Sequence, residues 1–204
     1  MLWTGVARAH EHWILLEPAG GRATVRIGSG HGFPSSEYRL AERLLADMNI
    51  TAPDGTPAPL RPTARDRDWT AEFDCGHPGV WRAEFALKKP QEDEPMFRAR
   101  GLAVIGDADE PARYATGKGL EIVPKAPLST LRKGDSLPVD IRLDGKPIEG
   151  KIAVTPAQGA VAFYSTGRER PANIKLASGG TYLLAVSHRG RSFALTFTIR
   201  ESAP

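Results

Sequence analysis

The chain has 204 residues, enough for one large domain or two small ones with a real core. Lys and Arg number 27 against 24 Asp and Glu, and this scattered excess of +3 argues against nucleic acid as a partner. No stretch is apolar and long enough to span a membrane. The one cysteine, Cys75, excludes an intrachain disulfide and a thiolate zinc cluster.

At the N-terminus, Ala7-Arg8-Ala9 fits the small-x-small pattern of a signal-peptidase site, while residues 1–6 are too short to be a whole export signal. Two readings stay open: a remnant of an upstream signal peptide, or a short tail on a cytosolic chain. Arg22-Ala23-Thr24-Val25-Arg26-Ile27 alternates around Ala23, Val25 and Ile27, as a half-buried strand does. One short helix is expected in this half. Ser35-Ser36 serves as its cap, and Leu40, Leu44, Leu45 and Met48 give residues 37–47 an apolar face. Trp69–Phe73 and Val80–Leu87 read as a hairpin joined by the turn-rich Asp74-Cys75-Gly76-His77-Pro78-Gly79. Residues 88–95 are charged and proline-flanked, hence an exposed loop, and Asp107 to Lys118 is a second connection.

Beyond residue 118 short strands recur with turns between them: Leu137–Leu143, Lys151–Val154, Ala160–Phe163, Thr181–Val186 and Phe193–Ile199. That spacing predicts an all-β protein, a β-sandwich whose C-terminal half is immunoglobulin-like. The expected division is a tail over 1–9, a β-rich metal-binding region over 10–118, and the immunoglobulin-like sandwich over 119–204.

Three of the five histidines cluster near the start: His10 and His12 in Ala9-His10-Glu11-His12-Trp13, and His31 in Gly28-Ser29-Gly30-His31-Gly32-Phe33-Pro34. Neutral imidazole is the commonest protein ligand for a transition metal. These two elements resemble the periplasmic metal-binding components that accompany nickel and cobalt uptake transporters. The likeness extends to Gly119-Leu120-Glu121-Ile122-Val123-Pro124, to Gly134-Asp135, to Asp144-Gly145-Lys146-Pro147-Ile148-Glu149-Gly150 and to Leu195-Thr196-Phe197. It therefore covers most of the chain from residue 9 onward. The Asp-Gly-Lys-Pro element also recurs in carboxypeptidase-regulatory-type sandwiches.

The resemblance implies an exported, periplasmic protein that binds Ni(II) or Co(II) through His10, His12 and His31 and serves membrane transporter components. Cleavage after Ala9 would make His12 the third residue. A free amine, two deprotonated backbone amides and the His12 imidazole would then offer four nitrogens in a plane, an arrangement suited to Ni(II) and also Cu(II). If the amine is blocked, imidazoles, Glu11 and water remain as donors. Glu121 either braces a ligand's second nitrogen or faces solvent. Cys75 and His77 read as an inert loop, and His188 as structural or exposed.

No Gly-x-Ser-x-Gly, phosphate-binding glycine loop or His-Glu-x-x-His occurs, so no enzyme is expected. Beside the nickel or cobalt carrier stand two alternatives. One is a non-catalytic sandwich that binds protein or carbohydrate at the cell surface; the other is a copper-handling periplasmic protein.

Overall fold

Alternating apolar runs become strands nearly throughout. The computed structural model describes residues 11–88 and 95–201. In chain order the strands are β1 (Glu11–Ala19), β2 (Arg22–Gly30), β3 (Leu45–Thr51), β4 (Pro57–Pro59), β5 (Thr63–Ala64), β6 (Trp69–Asp74), β7 (Gly79–Leu87) and β8 (Phe97–Ile105). Then follow β9 (Leu120–Pro124), β10 (Ser136–Leu143), β11 (Lys146–Ile148), β12 (Gly150–Pro156), β13 (Ala162–Thr166), β14 (Ala172–Lys175), β15 (Gly180–His188) and β16 (Arg191–Ile199).

These strands form three sheets. The first runs β1-β2-β6-β5; the second and largest runs β13-β12-β15-β16-β8-β7-β3-β4; in the third, β10 pairs with β9, β11 and β14. All pairings between these strands are antiparallel except β16 with β8, which is parallel. The large sheet lies in the middle. Along β16, Phe193, Leu195 and Phe197 belong to one core and Ala194 to the other. Along β15, Tyr182 and Leu184 face the first core and Leu183 the second. Period-two alternation thus covers both faces of the sheet. The first sheet packs on one face, burying Trp13, Ile14, Val25 and Ile27, and the third on the other, burying Ile122, Leu137, Val139 and Ile141. The chain is an all-β sandwich, and its large sheet takes strands from both sides of residue 118.

The layers meet closely at Gly101 on β8. A Cβ there would stand 2.8 Å from the Ile14 carbonyl oxygen on β1, and the Thr196 hydroxyl of β16 donates to that same carbonyl. Only a strand without a side chain at this point lets the backbones approach so far.

Two expectations are corrected. The helix over 37–47 is absent: residues Glu42–Leu44 make one 3₁₀ turn and Leu45–Thr51 is strand β3. A bulge explains the pattern. β3 pairs Ala46 with Ala86 and then Asn49 with Glu84, so one extra residue enters, with Asp47 at φ 51°. The bulge makes a spacing of three between Leu45 and Met48 compatible with a strand. Nor do Trp69–Phe73 and Val80–Leu87 form a hairpin. β6 joins β2 and β5 in the first sheet, while β7 joins β3 and β8 in the central one. The intervening turn carries the chain from one layer to the next.

Candidate functional site

The β1–β2 hairpin turns at Gly20 and Gly21, both at positive φ (59° and 83°), as a two-residue turn requires. Its register pairs Glu11 with Gly30, His12 with Ser29 and Trp13 with Gly28. The two histidine-bearing elements of the sequence are therefore neighbours at the open end of this hairpin. Trp13 is buried, lies on Gly28, where a Cβ would fall 2.5 Å from its indole nitrogen, and meets Phe33 edge-on at 5.5 Å. Gly28, Trp13 and Phe33 are thus the packing that holds the two elements together.

His12 is half-buried on β1. Its Nδ1 lies 3.0 Å from the Ser29 hydroxyl, and its ring meets Phe97 edge-on at 5.3 Å. His31 is exposed, just past the end of β2, with Nδ1 3.4 Å from a Glu37 carboxylate oxygen. The loop is built around Glu37. Its backbone N–H donates to the Ser29 carbonyl at 2.8 Å, and its side chain lies over Gly30, where a Cβ would stand 2.8 Å away. Gly30, at φ 138°, and Gly32, whose Cβ would lie 3.3 Å from a Glu37 carboxylate oxygen, leave room for it. Ser36 accepts from the Ser29 N–H at 2.9 Å and lies 2.7 Å from the Arg67 carbonyl, tying the loop to the chain before β6.

His12 and His31 thus come to one end of one hairpin, each held through Nδ1. His10 lies outside the described residues. Among the described residues, no three His, Cys, Asp or Glu side chains gather as a metal ion would need. Glu37 is the residue that sequence reasoning missed. Its signal was the pair of glycines flanking His31, which make space for a side chain from six residues on.

Glu121 neither braces a histidine nor faces solvent. It is fully buried and bonded to Arg100 at 2.7 Å. It also accepts from the Thr116 and Gly117 N–H groups, at 2.8 and 2.9 Å, and from the Thr116 hydroxyl at 2.9 Å. Burial alone would raise its pKa, but Arg100 and the Thr116 donors outweigh burial and hold the carboxyl below its ordinary value. Arg100 is itself buried. It bonds Glu84 at 2.6 Å and the Tyr114 carbonyl at 2.8 Å, with its guanidinium 5.3 Å from the Phe193 ring centre. A lone glutamate inside the apolar Leu120–Pro124 was the readable half of this pair; Arg100 is one of two arginines in Phe97–Ile105, and nothing in the sequence sets it apart from Arg98.

Cys75 is buried and unoxidised, and burial, followed by Asp74, pushes its thiol pKa up. His77 is exposed, and its backbone carbonyl accepts from the Trp81 indole at 3.0 Å. His188 ends β15, paired with Arg191 in the hairpin to β16. No helix among the described residues is long and apolar enough to cross a membrane.

Among solved structures the chain is similar to the D0-D1 domain of intimin, at 11% identity over 93% of this chain and 96% of that one, TM-score 0.30. It is also similar to a chimeric titin Z1Z2 tandem (10%, 96% and 100%, TM-score 0.28). A third is a two-domain fibronectin type-III segment from chicken tenascin (9%, 90% and 94%, TM-score 0.26). At these TM-scores the likenesses carry no argument about function. No curated protein sequence matches the chain. A family model does match, over residues 7–190, a span that takes in β1 to β15 and both histidine-bearing elements. The chain belongs to the family described as Domain of unknown function (DUF4198).

Proposed function

We propose that this protein is a periplasmic carrier that takes Ni(II) or Co(II) as cargo through His10, His12 and His31 and delivers it to a membrane uptake transporter. The observation that carries the reading is the anchoring of His12 and His31 at one end of the β1–β2 hairpin, by Ser29 and Glu37. Rings that ligate a metal are held in this manner through the second nitrogen. The reading needs the tautomer in which Nδ1 of His12 donates to Ser29, which leaves the lone pair on Nε2. It takes His10, the neighbour of Glu11 in sequence, as the third imidazole. It also makes His10 the first residue of the mature chain, so that its amine and the backbone amides before His12 join the imidazoles. No group here is assigned a catalytic role.

Calorimetric titration with Ni(II), Co(II), Cu(II) and Zn(II) tests this, on the chain starting at His10 and on the chain that retains Met1 to Ala9. The shorter chain is expected to bind Ni(II) more tightly and to turn yellow as a square-planar complex forms. Affinity should rise with pH, because the nitrogens lose protons on binding. Equal affinity of the two forms would remove the amine from the ligand set and make His31 a principal donor. No binding of any of the four metals would overturn the reading and leave an interaction module in its place.

A further inference from the structure

A second feature lies away from the histidines, over the ends of β7 and β8 and the start of β16. It is a cleft of about 760 Å³, walled by residues 115–120 and the turn at Asp144. Its size falls within the range of small-molecule sites, roughly 300–1,000 Å³. Six cationic side chains line it against three acidic ones, an excess equal to the net charge of the whole chain.

The acidic groups are already engaged. Glu84 bonds Arg100 at 2.6 Å, Asp47 bonds Arg98 at 3.3 Å, and Asp144 accepts from the Gly119 N–H at 2.9 Å. Arg100 is further neutralised from beneath by Glu121. The unmatched charge falls on Arg82, Lys88 and Lys118, which make no ion pair among the described residues. Arg82 is pinned rather than paired. Its Nη1 donates to the carbonyls of Arg113 and Ala115, at 2.9 and 3.1 Å, so the planar guanidinium is fixed before any ligand arrives. Burial, then the neighbouring Arg100, lower its pKa, so its charged form lacks the solvation or partner it would have in water.

We propose that this cleft binds a small multivalent oxyanion carrying carboxylate or phosphate groups, with Arg82, Lys88 and Lys118 as the contacting cations. Fixed guanidinium and mobile ammonium donors converging on a concave site are the arrangement that recognises such groups. A concave site of this volume takes a small ligand rather than the flat face of a large partner. The proposal uses none of the histidines and stands or falls separately from the metal reading.

The test is calorimetric titration of the protein, freed of metal on a chelating resin, with pyrophosphate and with tricarballylate at low ionic strength. One of the two should bind saturably at one site, and the tighter of them assigns phosphate or carboxylate chemistry. The double variant Lys88→Gln/Lys118→Gln, which removes two charges and no side-chain bond, should weaken binding about tenfold or more, since a bond to a charged group contributes about 1.5 kcal/mol or more. About 1 M salt, where the screening length shrinks to about 3 Å, should weaken it too. The variant His12→Ala/His31→Ala should bind the anion as the wild type does. Three outcomes would overturn the proposal: no saturable binding of either anion, undiminished binding by the double lysine variant, or binding only to vesicles of anionic lipid.

Discussion

The indole of Trp13 rests on Gly28, so close that a Cβ at residue 28 would stand 2.5 Å from the ring nitrogen. This contact joins β1 to β2 beside the two histidines, and the indole is buried there. Gly28→Ala must therefore displace Trp13, and overpacking of this kind costs roughly 1–3 kcal/mol. Thermal unfolding should show a lowered midpoint, with loss of the native Trp fluorescence environment. An unchanged midpoint would mean that Trp13 has room to move.

Glu37 should matter to metal binding without being needed for folding. It is exposed and reaches His31 from across Gly30. Replacing a partner that orients a metal-bound histidine typically costs about 10–100-fold in affinity. Glu37→Gln is expected to lower Ni(II) affinity within that range while the melting curve stays as in the wild type. His12→Ala should do more damage than His77→Ala or His188→Ala, which lie elsewhere. A Glu37→Gln variant with wild-type nickel affinity would strike the residue from the site.

The Glu121 carboxyl, held below its ordinary value of 4.5, links stability to acid. The unfolded chain takes up the proton first. Stability from this group is therefore complete above pH 4.5 and is lost as pH falls from there through the lower folded value. Glu121→Gln should be destabilised at pH 7 by roughly 1.5–3 kcal/mol, because Arg100 loses one charged bond and keeps Glu84. Below pH 4.5 the gap between variant and wild type should narrow. Denaturant melts at pH 7 and pH 3.5 would read both effects, and a gap that does not change with pH would refute the linkage.

Much of the architecture was legible because strands carry their own period. Ala23, Val25 and Ile27 alternate in β2, and β10, β12, β15 and β16 fall where their apolar runs fall. Partners were not legible, since alternation says which face is buried and not against what. The false hairpin of β6 with β7 came from this gap, and the false helix came from the β3 bulge. At the site, the joining of His12 with His31 rested on the family resemblance of their two motifs, not on composition. Glu37 was legible only indirectly: the glycines flanking His31 make room for a side chain, but nothing in the run Glu37-Tyr38-Arg39 marks Glu37 as the one that turns back over Gly30. Glu121 was misjudged because its partner Arg100 comes from another sheet.

Cys75 offers a probe of the corner between layers. Cys75 is 1% exposed, its N–H donates to the Gly21 carbonyl at 2.8 Å, and burial raises its thiol pKa. Only thiolate reacts with disulfide reagents. Native protein at pH 8 should label slowly, and protein in denaturant at once. Rapid labelling of the native chain would show that this corner opens in solution.

The parallel pairing of β16 with β8 has a consequence for how the chain folds. Among the described residues, β16 is the last strand in sequence. Until it arrives, β8 presents a bare edge in the middle of what will be the largest sheet, and Ile14 lacks the hydroxyl that caps its carbonyl. An open edge of this kind invites pairing with other chains. The earlier half of the molecule therefore stays incomplete and sticky until a strand some ninety residues further along the chain docks on β8. Its hazardous interval closes only with this long-range pairing, the slow kind of contact in a β-rich fold.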